Sequence, residues 1–172
     1  MLELMNTVEW IKFIGDRNVP TLEAIEKYII NIENNPMAKY WVVSQKATQQ
    51  PMGIVTFLKR LYLDHWDIGF AFLGRFTGQG YAAEATEIVL TEMALSGEHS
   101  TILASVLKEN KSSIKLLGKL GFQFSREIKV DHEILQLYSI SADKIQIDSL
   151  VKTFFNLFSN SNNRQPDWSL VK

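Results

Sequence analysis

The residues Arg75-Phe76-Thr77-Gly78-Gln79-Gly80 stand between a continuously apolar run, residues 67–73, and an amphipathic pattern that starts at Tyr81. A loop in that place brings free backbone N–H groups and the positive end of a helix dipole to one point, and such a point binds phosphate. Gly78 and Gly80 matter because a pyrophosphate must approach the backbone closely, and a side chain at either position obstructs that approach or restricts the turn. Arg75 adds a charge-assisted contact. No Gly-Lys-Ser/Thr follows the loop and no G-x-G-x-x-G stands at the turn, which counts against ATPase and dinucleotide-binding readings. A G-x-G between a strand and a helix also serves as a tight turn chosen for packing, so the surrounding residues decide.

Those residues read as alternating strands and helices. Residues 2–14 have the spacing of the last turns of a helix whose beginning is missing. After the break at residues 15–20, Thr21 is a plausible N-cap for a helix carrying Leu22, Ile25, Tyr28, Ile29 and Ile32, ending at Asn34-Asn35-Pro36. Residues 40–44 and 53–58 form an antiparallel hairpin, and residues 67–73 are too apolar for a strand with one wet face, which predicts the central strand. The helix from Tyr81 to about Ala94 carries Ala82, Ala85, Ile88, Val89 and Met93 on one stripe. A strand at 101–107, a short helix at 112–120 closed by Gly121, and paired strands at 122–130 and 133–140 joined at Asp131-His132 complete the pattern.

Composition narrows the class. The chain has 172 residues, 46% hydrophobic and 22% charged, values of one folded globular domain. A net charge of -1 with scattered Lys and Arg gives no footprint for nucleic acid. The absence of cysteine removes disulfides, thiolate nucleophiles and Cys-based zinc sites. No apolar run reaches the roughly 20 residues of a membrane span and no signal peptide pattern opens the chain, so the expected location is the cytoplasm.

The segment Asp67-Ile68-Gly69-Phe70-Ala71-Phe72, followed by Arg-x-x-Gly-x-Gly and Tyr81-Ala82-Ala83-Glu84-Ala85, resembles the central cofactor-binding motif of the GNAT superfamily in its RimJ/RimL-like branch. Downstream, Asn110-Lys111-Ser112-Ser113 and the ending Leu117-Gly118-Lys119-Leu120-Gly121-Phe122 are similar to the family's N-x-x-S and L-x-K-x-G-F patterns. The resemblance covers residues 10–140 and is strongest over 67–122. It implies an α/β (α+β) fold: a mixed, mostly antiparallel sheet of about six strands flanked by helices, whose two central strands splay to admit a pantetheine arm. It also implies an N-terminal strand and a full first helix, whereas this chain begins late in that helix.

What the resemblance implies about function is transfer of an acetyl group from acetyl-CoA to a primary amine, on a small molecule or a protein N-terminus, by direct attack. By position, the backbone of Phe70, Ala71 and Phe72 pairs with pantetheine amides, the N–H groups of Thr77, Gly78, Gln79, Gly80, Tyr81 and Ala82 hold the pyrophosphate, and Asn110 bonds to the cofactor arm. For proton removal the best-placed carboxylate is Asp67, with Asp64 and His65 as neighbours able to substitute. For protonating the departing thiolate, Ser113 occupies the N-x-x-S position and Tyr138 competes with it. The alternative function is a catalytically weak or inactive acyl-CoA-binding module, encouraged by the lack of a glutamate base on the central strand.

Plainer readings stand beside these. Ser112 or Ser113 serves as a helix cap. His65, His99 and His132 show no metal-ligand spacing and read as solvated, so no metal is expected. Trp10, Trp41 and Trp66 fill core or rim positions, with Trp66 also able to line an acceptor groove. Glu84 suits the helix dipole without a catalytic task. The domain is expected to span 1–141. Residues 142–172 then form a tail in which Ile145, Ile147, Leu150, Val151, Phe154, Phe155 and Phe158 make an amphipathic helix followed by a polar run. That stripe folds back over the N-terminal gap, pairs with a second chain as a homodimer, or begins another domain.

Overall fold

The computed structural model describes residues 1–158. Two short helices, α1 (Leu2–Met5) and α2 (Val8–Phe13), precede α3 (Leu22–Glu33). The hairpin β1 (Ala38–Ser44) and β2 (Pro51–Leu58) leads to β3 (Asp67–Phe72), a 3-10 turn (Gly74–Phe76) and α4 (Tyr81–Leu95). Then come β4 (Thr101–Leu107), α5 (Lys111–Lys119), the hairpin β5 (Gln123–Val130) and β6 (Glu133–Ser141), and α6 (Ala142–Phe158). The six strands form one sheet in the order β1-β2-β3-β4-β6-β5, antiparallel throughout except between β3 and β4. This is the mixed sheet with helical layers that the sequence predicts.

Strand pleating sorts the layers, because alternate β2 side chains point to opposite faces. Ile54 packs with Leu4, Met5, Trp10, Val19 and Ile25, so α1, α2 and α3 cover one face. Val55 and Phe57 pack with Val89, Leu90, Met93, Leu117 and Ile145, so α4, α5 and α6 cover the other. The strand buried along most of its length is β2; β3 is fully buried only at Asp67 and Ile68, because its remainder loses its neighbour on one side.

Three local expectations change. The N-terminal stretch is two helices rather than one, since the Thr7 hydroxyl donates to the Leu4 carbonyl at 2.8 Å and accepts from the Trp10 N–H at 3.2 Å, ending one helix and capping the next. In α4, Ile88 is 62% exposed, whereas Thr86 and Leu90 take core positions. The inner face is centred on 86, 89, 90 and 93, about one position round from the expected stripe. The tail helix α6 follows β6 without a link, buries Ala142 and Ile145 in the main core, and lies along α4. There Gln146 donates to the Ala94 carbonyl at 2.8 Å and Lys152 pairs with Glu87. It therefore sits on the face opposite α1 and α2 and does not cover them. The side chain of Phe158 and residues 159–172 lie outside the described side chains.

His99 is not solvated. Its side chain is 8% exposed and packs against Phe57 and Trp66, with ring centroids 5.0 and 5.6 Å away. Burial lowers its pKa; Lys39 acts in the same direction and Glu98, 4.0 Å away, opposes. With the folded-state pKa depressed, the stability His99 contributes is present above the unfolded value of about 6.5 and lost as pH falls through the folded one. Thermal melts are expected to drop as pH falls below about 6.5, and to drop less in His99→Phe; an unchanged slope in that variant refutes the assignment.

Candidate active site

The site is organised by a seam. β2 and β3 pair along their whole length and so do β4 and β6, yet β3 and β4 pair at one register alone, Asp67 opposite Leu103, where the Leu103 N–H donates to the Trp66 carbonyl at 2.9 Å. Beyond that vertex the parallel strands diverge, and residues 69–72 of β3 are laddered only to β2. The outer backbone edge of Phe70, Ala71 and Phe72 thus faces a cleft and not a neighbouring strand.

Asp67 fastens the vertex. Its Oδ1 accepts from the Ser105 N–H at 2.8 Å, both oxygens lie 3.2 Å from the Ser105 hydroxyl, and Oδ2 accepts from Arg60 Nε at 2.9 Å. The side chain is almost wholly enclosed, and burial raises its pKa against the opposing pull of Arg60 and Ser105. Both oxygens are engaged, so the carboxylate is placed as a strut across the seam rather than as a free acceptor facing a substrate. Sequence reasoning missed Arg60 and Ser105: one lies in an aperiodic connection, the other on the next strand of the sheet, and neither carries a local signal.

At the open end of the cleft lies the glycine loop. The Thr77 N–H and hydroxyl both donate to the Gly74 carbonyl, at 3.1 and 2.8 Å, and Gln79 Nε2 donates to the Arg75 carbonyl at 2.8 Å, which fixes the turn. Gly78 and Gly80 have φ of +75° and +93°, the left-handed region that penalises any Cβ, and a Cβ at either would meet no protein atom within 4 Å. The first helical bond of α4 runs from the Glu84 N–H to the Gly80 carbonyl at 3.0 Å. Consequently Gly78, Gln79, Gly80, Tyr81, Ala82 and Ala83 present consecutive N–H groups with no protein acceptor among the described residues.

This concentration of donors at the start of a 15-residue helix, in front of unfilled space, fits an anionic pyrophosphate. Two expected contacts are corrected. The Thr77 N–H is consumed by the turn, and the Arg75 guanidinium forks onto Glu3 of α1, with Nη2 to Oε2 at 3.0 Å, while lying 5.2 Å from the Phe76 ring.

Because β3 and β4 run parallel, α5, which follows β4, starts at the same end of the sheet as the glycine loop. Asn110 is its N-cap: Oδ1 accepts from the Ser113 N–H at 3.1 Å and from the Ser112 hydroxyl at 3.4 Å. The cap is therefore Asn110 and neither serine, which leaves the Asn110 Nδ2 group and the half-buried Ser113 hydroxyl uncommitted among the described residues. At the far end of α5, Gly121 has φ of +89°, its N–H donates to Gly118 and that of Phe122 to Leu117, the two bonds of a Schellman cap. Tyr138 stands opposite Ala104 on β6, packs toward the α4 and α5 face, and its hydroxyl is 3.2 Å from Gln136 Oε1. Asp67, paired with Leu58, points to the α3 face, so the structure does not bring Asp67 and Tyr138 together.

Comparison with known proteins agrees with this geometry. Residues 1–123 match the family model described as an acetyltransferase (GNAT) domain. No curated protein matches the chain. Among solved structures, a GNAT-family acetyltransferase from Bacillus anthracis superposes with a TM-score of 0.71 at 21% identity, over 83% of this chain and 87% of that one. Spermidine N-acetyltransferase from Vibrio cholerae in complex with CoA and spermine gives 0.70 at 14%, over 84% and 89%. Ribosomal-protein-S5-alanine acetyltransferase from Vibrio fischeri gives 0.60 at 22%, over 72% and 74%. With a family model spanning most of its length and the split, donor-lined seam already in place, the chain belongs to the GNAT acetyltransferase family, whose cofactor is acetyl-CoA.

Proposed function

We propose that this protein is an N-acetyltransferase that moves the acetyl group of acetyl-CoA to a primary amine by direct attack. The observation that carries this reading is the run of unpaired N–H donors from Gly78 to Ala83 at the mouth of a cleft between two diverging strands. Acetyl-CoA supplies an activated thioester carbonyl. The N–H groups of Gly78, Gln79, Gly80, Tyr81 and Ala82 hold its pyrophosphate, the open backbone edge of Phe70, Ala71 and Phe72 aligns its amide-bearing arm, and Asn110 Nδ2 adds a donor from the β4 side. A backbone N–H on that edge is suited to stabilising developing oxyanion charge.

Ser113 keeps the proton that a leaving thiolate needs, at an Oγ not spent on capping, whereas the Tyr138 hydroxyl is already turned to Gln136. Asp67 acts as a positioning residue for the seam, so proton removal from the amine passes to water on the α3 face. The motif pattern and the fold shared with a ribosomal-protein alanine acetyltransferase support a RimJ/RimL-like branch with a protein N-terminus among the acceptors. No helix among the described residues is long and apolar enough to cross a membrane, and the proposed setting is the cytoplasm.

Calorimetric titration with acetyl-CoA, followed by free-thiol release over a panel of amines, tests the reading; a folded chain that binds no acetyl-CoA sinks it. The engagement of both Asp67 oxygens favours one alternative, an acyl-CoA-binding module without turnover, which predicts binding and no thiol release.

We further propose self-association through α6. Ile147, Leu150 and Val151 are exposed on it, Ile88 and Leu95 are exposed on α4, the helix it lies along, and a second copy offers the same apolar surface. Leu150→Glu is expected to shift sedimentation from dimer to monomer; a wild-type monomer at high concentration refutes the interface.

A further inference from the structure

Where the acceptor enters is set by the layers. Helix α4 and the main core close one face of the sheet, so the vertex of the seam is reached from the face bearing α3, Arg60 and Asp67. On that face a concavity of about 340 Å³ lies between α3, the start of β1 and the end of β2, and Arg60 lines it while holding Asp67 through Nε.

Its lining includes two cations, Lys59 and Arg60, the phenols Tyr28 and Tyr40 and the amides Asn31 and Asn35, and no carboxylate. Arg60 uses one nitrogen on Asp67, and its outer guanidinium N–H groups have no acceptor among the described residues. Lys59 Nζ donates to the carbonyls of Leu63 and Asp64 at 2.8 and 2.5 Å and pairs with no carboxylate among the described residues. Burial, with Tyr28 beside it, raises the Tyr40 pKa and keeps that hydroxyl a donor. Asp67 balances the charge of Arg60, so Lys59 supplies the uncompensated charge and the outer Arg60 N–H groups, the phenols and the amides supply donors, which is the chemistry of a site for an anion.

We propose that this concavity selects acceptors carrying a carboxylate near the reactive amine, such as an acidic peptide N-terminus, and disfavours polyamines. The inference rests on the acetyl-transfer reading for its function but not for its binding test. The dipeptide Gly-Asp, its bis-amide and spermidine are titrated calorimetrically without acetyl-CoA, into the wild-type chain and into Asn31→Asp and Asn35→Asp. Both variants change exposed side chains, and their folding is checked by circular dichroism.

Gly-Asp is expected to bind about tenfold more tightly than the bis-amide, to lose about tenfold in either variant, and to outbind spermidine, in line with one charge-assisted hydrogen bond gained or opposed. Spermidine binding as tightly as Gly-Asp, no measurable Gly-Asp binding, or an affinity untouched by both variants overturns the proposal. If the preference holds while no amine in the panel releases thiol, the acetyl-transfer reading fails and the anion site stands; thiol release with spermidine preferred has the opposite meaning.

Discussion

Gly78→Trp is expected to lose acetyl-CoA binding by at least about a hundredfold while the chain stays folded. Gly78 sits at φ +75°, where an L side chain costs roughly 1–2 kcal/mol, a small part of the stability of a domain this size. The larger effect is spatial. A Cβ at Gly78 meets no protein atom within 4 Å, so an indole finds room, and that room is the space in front of the unpaired N–H groups. It also separates a phosphate from donors that act only at about 2.7–3.2 Å. Acetyl-CoA calorimetry beside a thermal melt checks this; near-normal affinity in a folded variant removes the glycine loop from the site.

Asp67→Ala is expected to cost about 3 kcal/mol in urea denaturation, because breaking a buried pair leaves the surviving partner uncompensated. The low end of the usual range applies because the Arg60 side chain is 31% exposed and regains some water. The variant also orphans the part-buried Ser105 N–H, two residues beyond the sole register joining β3 to β4, so the proposed acetylation should fall along with stability. A loss below about 1 kcal/mol overturns the strut. Asp67→Asn retains an acceptor for Ser105 and should lose less.

The pH dependence has a definite sign. Burial holds the folded Asp67 pKa above the ordinary carboxyl value, so its contribution is full below the unfolded pKa of about 3.9 and lost as pH rises through the raised one. The stability gap between wild type and Asp67→Asn should narrow as pH rises above the unfolded value.

Features encoded by neighbours along the chain were legible in the sequence. Thr21 caps α3, its hydroxyl accepting from Ala24 at 3.2 Å; Gly121 closes α5; and the two-residue turn at Asp131-His132 joins β5 to β6, with Asp131 at φ 52°. The order of strand, glycine loop and helix was readable for the same reason. Features made by the sheet order were not. Asp67 draws attention as a lone acid on an apolar strand, but its role is decided by Ser105, which becomes its neighbour only when β4 is laid beside β3. Glu3 meets Arg75 across 72 positions of sequence. His99 carries the same local signal as an exposed histidine, and only the docking of Phe57 and Trp66 buries it. Asn110 captured the cap from the serines because it alone precedes the first helical turn.

The single rung between β3 and β4 also bears on how the chain finds its structure. Residues 38–72 build one antiparallel sheet from sequence-adjacent strands, and residues 101–141 build another with β4, β5 and β6 close in sequence. Contacts within each half close short loops, whereas joining the halves closes a long one across α4 and returns only one rung of backbone pairing. The entropy of that closure must be offset by apolar burial under α4 and by the Asp67, Arg60 and Ser105 cluster. The step that sets the cleft between β3 and β4 is therefore expected to be the topologically slow step of folding.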